Sequence, residues 1–266
     1  MSAMELPLVV FTLLSQLAIG LVLVGAIRQF AGDGPAGTGA PGLRREWLLA
    51  AGLLAAGLVA SLFHLGHPGG APRAITHLAT AWLSREVLVL GLLLAAILAA
   101  ALTGLGRGLV GLCAALGLGA LLVQGMTYAP PSFPALHNGL PFVFFAVTAV
   151  TLGAGAAAWL APDSRQGLIA GILTVGLAVG MVVFLVVPCV WLSGGTVMRE
   201  TAQAYLASPL YWTHVVLGLA LPLALVLKAG RIPALAPVLM LVGAVCGRIV
   251  FYLDTVHTAA NLGGLY

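Results

Sequence analysis

The residues best suited to proton chemistry cluster in one stretch of the chain. His64-Leu-Gly-His67-Pro68 is followed by Arg73-Ala-Ile and then by Trp82-Leu-Ser84-Arg85-Glu86. His64 closes one apolar run and Arg85–Glu86 opens the next, so the chain leaves an apolar layer and re-enters it between them. The two residues stand 22 positions apart yet on one face of that layer. A neutral imidazole accepts a hydrogen bond and then a proton near neutral pH. A partly buried carboxylate relays that proton onward. A His and a Glu at the edge of an apolar interior therefore suit a lipophilic molecule with a redox-active polar head. A quinol has this chemistry, since its oxidation releases electrons and protons together. A plainer reading is also open: Glu86 sits in the first turn of a helix, where the dipole favours an acid, with Arg85 as its interfacial neighbour.

Further polar groups share that face. Gln16 lies about two to three turns inside the first apolar run, and a lone amide there needs a partner, whether a quinone oxygen or another helix. Tyr128 closes the fourth run, with Gln124 one turn earlier; the alternative for Tyr128 is an ordinary interfacial tyrosine. All six histidines (64, 67, 77, 137, 214 and 257) fall at span ends or in linkers on this face. Paired mid-span histidines, as two stacked haem b groups require, are missing from the pattern. No span carries a midplane Asp, Glu or Lys of the kind that charge-driven transporters use. Cys113, Cys189 and Cys246 are far apart inside apolar runs, so the chain is expected to hold no metal, whether structural zinc or an iron–sulfur cluster.

These residues must be positioned by membrane helices. Of 266 residues, 61% are hydrophobic and only 7% charged. Soluble domains carry roughly 25% charged residues, so composition excludes a secreted or cytosolic enzyme and a disordered regulator. The net charge of +4 is spread over short loops without a basic stripe, which argues against nucleic acid. A span needs about 20 apolar residues. That criterion places spans at 7–28, 47–66, 87–106, 108–127, 141–160, 168–192, 210–228 and 233–253, in one polytopic domain over 1–266. Gly32 to Gly42, Pro68 with Pro72, and Pro130, Pro131 and Pro134 mark linkers. Pro188 and Pro222 fall inside spans, where they kink helices. Glu5 and the lack of a basic leader distinguish the first span from a signal peptide. The fold class is an all-α integral membrane protein of eight transmembrane helices, grouped as two four-helix bundles. Seven cations fall on the linkers opposite the termini (28, 44, 45, 107, 165, 228 and 231) against four on the termini side (73, 85, 199 and 248). The positive-inside rule then puts both termini outside. Residues 193–209 form a large linker on the termini face, suited to partner docking or to a short interfacial helix.

The quoted stretch, HLGHP at 64–68, RAI at 73–75 and WLSRE at 82–86, resembles the DmsC-type anchor subunits of dimethyl sulfoxide reductase. FTLLSQLAIG at 11–20 is similar to that family's first helix, and GRIVFY at 247–252 is similar, less specifically, to its last. The resemblance implies a bacterial or archaeal cytoplasmic membrane and two partners, a molybdopterin catalytic subunit and a four-cluster iron–sulfur subunit. It implies oxidation of menaquinol, the substrate held in the membrane, with no haem and no iron–sulfur cluster in this chain. The family's quinol-site histidine falls on His64, its functional acid on Glu86 and its motif arginine on Arg73. Here the sequence departs from the pattern: three extra residues precede Arg73 and three fewer follow it. The His-to-Glu spacing survives. The expected quinol site thus comprises His64 and Glu86 as proton acceptors, with Arg73, Arg85, Gln16 and Tyr128 around them. His67 occupies a variable position and reads as a loop residue. Eight-span anchors of the polysulfide reductase type are a close variant. Two other readings fit the composition, a haem b anchor cytochrome and a multispan carrier or scaffold without redox function. Neither explains residues 64–86.

Overall fold

A hydrocarbon layer offers the backbone no hydrogen-bond partners, so a spanning chain must satisfy them internally. The computed structural model describes residues 6–31, 41–63, 76–104, 106–161 and 163–259. Within them the chain is mostly helical: α1 (Leu6–Phe30), α2 (Pro41–Leu62), α3 (Trp82–Thr103), α4 (Arg107–Thr127), α5 (Leu140–Leu160), α6 (Gln166–Leu192), α7 (Thr196–Ala207), α8 (Pro209–Thr213), a π-helical segment His214–Ala220, α9 (Leu221–Ala229) and α10 (Leu235–Leu253). Eight stretches are long and apolar enough to span a membrane, with α8, the π segment and α9 together forming the seventh. His64, His67 and Arg73 lie outside the described residues.

Several helix ends differ from the sequence expectation, among them the start of α2 at Pro41 in place of 47. α2 runs to Leu62, and α3 begins at Trp82, five residues before the expected start at 87. Glu86 therefore stands a full turn inside its helix. The 193–209 linker folds into α7, held inward by Tyr205, whose hydroxyl meets Thr255 Oγ1 at 3.0 Å, and by the Val256 amide donating to Thr201 Oγ1 at 3.1 Å.

α1 is the most enclosed span, with 72% of its most apolar window buried. It packs extensively on both α2 and α5, and also touches α4 and α10. Its crossing with α5 brings Gly20 against Ala149 and Gly153 so closely that a Cβ on either glycine would overlap the backbone of the other helix. A second glycine contact, Gly218 with Gly243, joins the π segment to α10 in the same way. Small residues replace the hydrophobic effect as the means of helix association in lipid, because they let dispersion contacts form between backbones.

The two in-span prolines are accommodated differently. Pro188 has no N–H for the carbonyl one turn back, at Phe184. The Tyr211 hydroxyl of α8 donates to that carbonyl instead. Pro222 follows the π segment and removes the donor that would have closed on Gly218, where the helix is wound wider.

On the face away from the termini, Arg28 and Glu46 form a buried ion pair at 2.5 Å between α1 and α2. Arg28→Leu leaves Glu46 uncompensated and is expected to cost about 3–5 kcal/mol, whereas the double replacement with Glu46→Leu recovers most of it. Unfolding midpoints of the detergent-purified complex check this; an equal loss in both variants contradicts it. Gly153→Leu is expected to disrupt the α1–α5 crossing by more than the roughly 1–3 kcal/mol of ordinary overpacking, read as loss of the monodisperse complex in size-exclusion chromatography.

Candidate functional site

Five helices bring buried polar groups to the termini-side half of the protein. From α3 comes Glu86, 1% exposed, with neither carboxyl oxygen in a hydrogen bond. α4 places Gln124 and Thr127 beside it as its polar neighbours. The Gln124 amide donates to Ser15 Oγ of α1 at 3.0 Å, which ties α4 to α1 at this depth. Thr127 Oγ1 donates to its own helix at Val123, 2.9 Å away, so its lone pairs stay available. The next residue on α1, Gln16, is fully buried, and its Oε1 accepts from Arg248 Nη2 of α10.

Arg248 is the one charged residue in the body of the last span and is 4% exposed. Besides Gln16 it reaches Thr148 Oγ1 of α5 at 3.4 Å. Thr148 donates its own proton to Phe144 O at 2.9 Å, which leaves its oxygen free to accept. The guanidinium also lies over Phe145, 4.2 Å from the ring centroid, with Phe251 at 5.6 Å. A cation at this depth is stable only with such company. Tyr128, at the end of α4, packs edge-on against Phe145, Tyr252 and Phe251 at 5.6, 5.7 and 6.4 Å. Tyr128 lies within electrostatic reach of both Arg248 and Glu86.

Of the residues expected from sequence, Glu86, Gln16 and Tyr128 thus converge on one buried region. Arg85 does not join them. Its guanidinium donates to Leu78 O at 2.9 Å and Ala79 O at 2.7 Å and covers the Trp82 ring at 4.3 Å. It ties the 76–80 turn to the start of α3, because its place next to Glu86 in sequence points it about 100° around the helix. His64 and Arg73 lie outside the described residues.

Sequence reasoning missed Arg248, Thr148 and Tyr252, and so the part played by the second half of the chain. The signal was present: an arginine inside an apolar span with no acid on the same helix requires partners elsewhere. His214, expected at an interface, is instead 6% exposed. It stands more than a turn inside its span, with Nδ1 2.9 Å from Gly243 O and its ring edge-on to Phe184 at 4.3 Å. The glycines at 218 and 247 make room for the ring: a Cβ on Gly247 would meet it at 2.7 Å and one on Gly218 at 3.2 Å. Among the described residues, no three His, Cys, Asp or Glu side chains come together as a metal site.

A family model described as DMSO reductase anchor subunit (DmsC) matches residues 1–253. The chain belongs to that family. It is a multi-pass membrane anchor of a DMSO reductase-type complex, associated with that complex's catalytic and electron-transfer subunits. No individually curated protein matches it. The family match extends through α10, the helix that supplies Arg248.

The Gln16–Arg248 bond joins the first helix to the last. Gln16→Leu and Arg248→Met are expected to be non-additive in unfolding free energy, with a coupling of about 0.5–3 kcal/mol. A double-mutant cycle on the assembled complex measures it, and simple additivity would show that the two side chains do not share this interaction.

Proposed function

We propose that this anchor subunit oxidises a quinol at the Glu86 cluster and passes the electrons to an iron–sulfur partner seated on the termini face. The observation that supports this best is the pair of unpartnered Glu86 oxygens, buried beside Gln124 and Thr127. A buried acceptor without a donor is costly. A quinol hydroxyl arriving from the lipid would donate to it, and the surrounding apolar helices would hold an isoprenoid tail. Gln16 also keeps an unpartnered amide nitrogen, a donor suited to the quinone carbonyl that oxidation creates.

The chemistry balances as a quinol losing two protons and two electrons to become a quinone. Glu86 accepts one proton from the hydroxyl bonded to it. His64, which closes the second apolar run of the sequence, is assigned the other. Both electrons leave for the partner's nearest cluster, and from there for the molybdopterin subunit. Menaquinol is the expected quinol, from the family resemblance of residues 64–86. Arg73 and Tyr128 are assigned to the pocket's edge, and Arg85 to holding the turn that shapes it.

Orientation follows from charge. Arg28 is sequestered in its ion pair and Arg248 in the core, which leaves six loop cations opposite the termini and three beside them. The bias survives the correction and supports termini on the outside of a bacterial or archaeal cytoplasmic membrane. Protons would then be released on the side where the quinol is oxidised.

The test compares two electron donors in membranes carrying the whole complex. Glu86→Gln and His64→Leu are each expected to lower turnover with a menaquinol analogue by about 10²-fold or more, the usual contribution of a positioned acid or base. Turnover with reduced viologen, which feeds the partner subunits directly, is expected to persist. Full quinol-dependent turnover in both variants would reject the site.

A further inference from the structure

A second cluster of buried polar groups includes Arg248 but not Glu86, and the proposed quinol chemistry makes no use of it. Between α5, α6, the π segment and α10 is a cavity of about 20 Å³, lined in part by Thr148, Tyr205, Tyr211, His214 and Arg248. A cavity needs roughly 10–15 Å³ to admit a water, together with two to four polar partners. This one has the volume for a single water and little else.

Two of its buried polar side chains, His214 and Arg248, each present an unused atom. His214 Nδ1 faces a carbonyl, Gly243 O, at 2.9 Å, and a carbonyl only accepts, so the ring's proton is on Nδ1. In the neutral ring Nε2 is then an acceptor, and it has no partner. Arg248 spends Nη2 on Gln16 and Thr148, while its Nε–H, a donor, is also without a partner. The two side chains that carry this donor and this acceptor, both more than nine-tenths buried, line one water-sized space. The remaining polar groups there are already engaged. Tyr211 donates to Phe184 O, and Tyr205 is bonded to Thr255. The wide winding of the chain begins at His214 itself, and π turns are frequent at functional positions.

We propose that this cavity is a binding site for one water molecule, which accepts from Arg248 Nε–H and donates to His214 Nε2. The water gives the guanidinium its third hydrogen-bonded direction, alongside Gln16 and Thr148, and so keeps a fixed cation solvated within the membrane. It also extends the polar track from Gln16 through Arg248 to the wall formed by Tyr205, under α7 on the termini face. His214 is a positioning residue in this site. The inference concerns hydration of the core and stands whether or not the Glu86 cluster binds a quinol.

X-ray radiolytic footprinting of the assembled complex in lipid nanodiscs, read by mass spectrometry, tests it. Hydroxyl radicals generated from a bound water oxidise the side chains around it even when bulk solvent is excluded. Tyr205 and Tyr211 are expected to be labelled severalfold faster than Phe145, which is fully buried and does not line the cavity. His214→Phe removes the acceptor, and loss of one hydrogen bond lowers occupancy roughly fivefold, so labelling of both tyrosines falls by that factor. His214→Gln, which retains an acceptor, is expected to keep it. Labelling of Tyr205 and Tyr211 at the Phe145 rate in the wild-type complex overturns the proposal, and this readout stands even if His214→Phe fails to assemble. Labelling unchanged by His214→Phe in an assembled complex overturns it as well.

Discussion

A guanidinium inside a membrane span has to be hydrogen-bonded on its edge and covered on its faces, or the span will not remain inserted. Arg248 meets that demand by recruiting two other helices: Gln16 from α1 and Thr148 from α5 on its edge, and Phe145 of α5 with Phe251 of its own helix against its face. π density from the α5 ring and the Gln16 carbonyl are supplied from different directions, so α1, α5 and α10 are held in one relative position. α1 in turn holds α4 through Ser15 and Gln124, and α4 faces Glu86 on α3. The chain of contacts from the last helix to the third sets where the unpartnered carboxyl group can be.

Close backbone approach makes this arrangement possible. At the Gly20–Gly153 crossing and the Gly218–Gly243 crossing, no side chain stands between the helices. Lipid offers no hydrophobic reward for burying leucine against leucine, so contact area and hydrogen bonds decide which helices pair. The prolines add direction to this packing. The carbonyl that Pro188 leaves unbonded is satisfied by Tyr211, and this draws α8 onto α6 and carries His214 into the core. A helix break in one span thus positions a side chain in another.

Much of the fold was legible because it follows from hydrocarbon itself. Eight apolar runs of sufficient length must become helices, and Gly- and Pro-rich linkers must leave the membrane. The expected starts and ends erred where composition is ambiguous: Trp82, Leu83 and Ser84 read as linker but wind into α3, so Glu86 moves a turn inward. The candidate site was half legible. His64 and Glu86 stand out by residue type and spacing, and Gln16 by being a lone amide in an apolar run. Arg85 looked equally eligible, yet the geometry of a helix turns it away from its neighbour and onto the 76–80 turn.

The sequence by itself determined the membrane, the number of spans, the family and the face on which the polar residues gather. Those depend on local composition and on which end of a span a residue occupies. Only the tertiary structure decided who meets whom across the bundle. Gln16 and Arg248 are 232 positions apart, and Ser15 and Gln124 are 109 apart. No periodicity encodes such pairs, because helices of nearly uniform apolarity reveal no preferred face. The face each helix turns inward is set by where its few glycines and polar groups find complements. That choice can be made only when all the helices are present together.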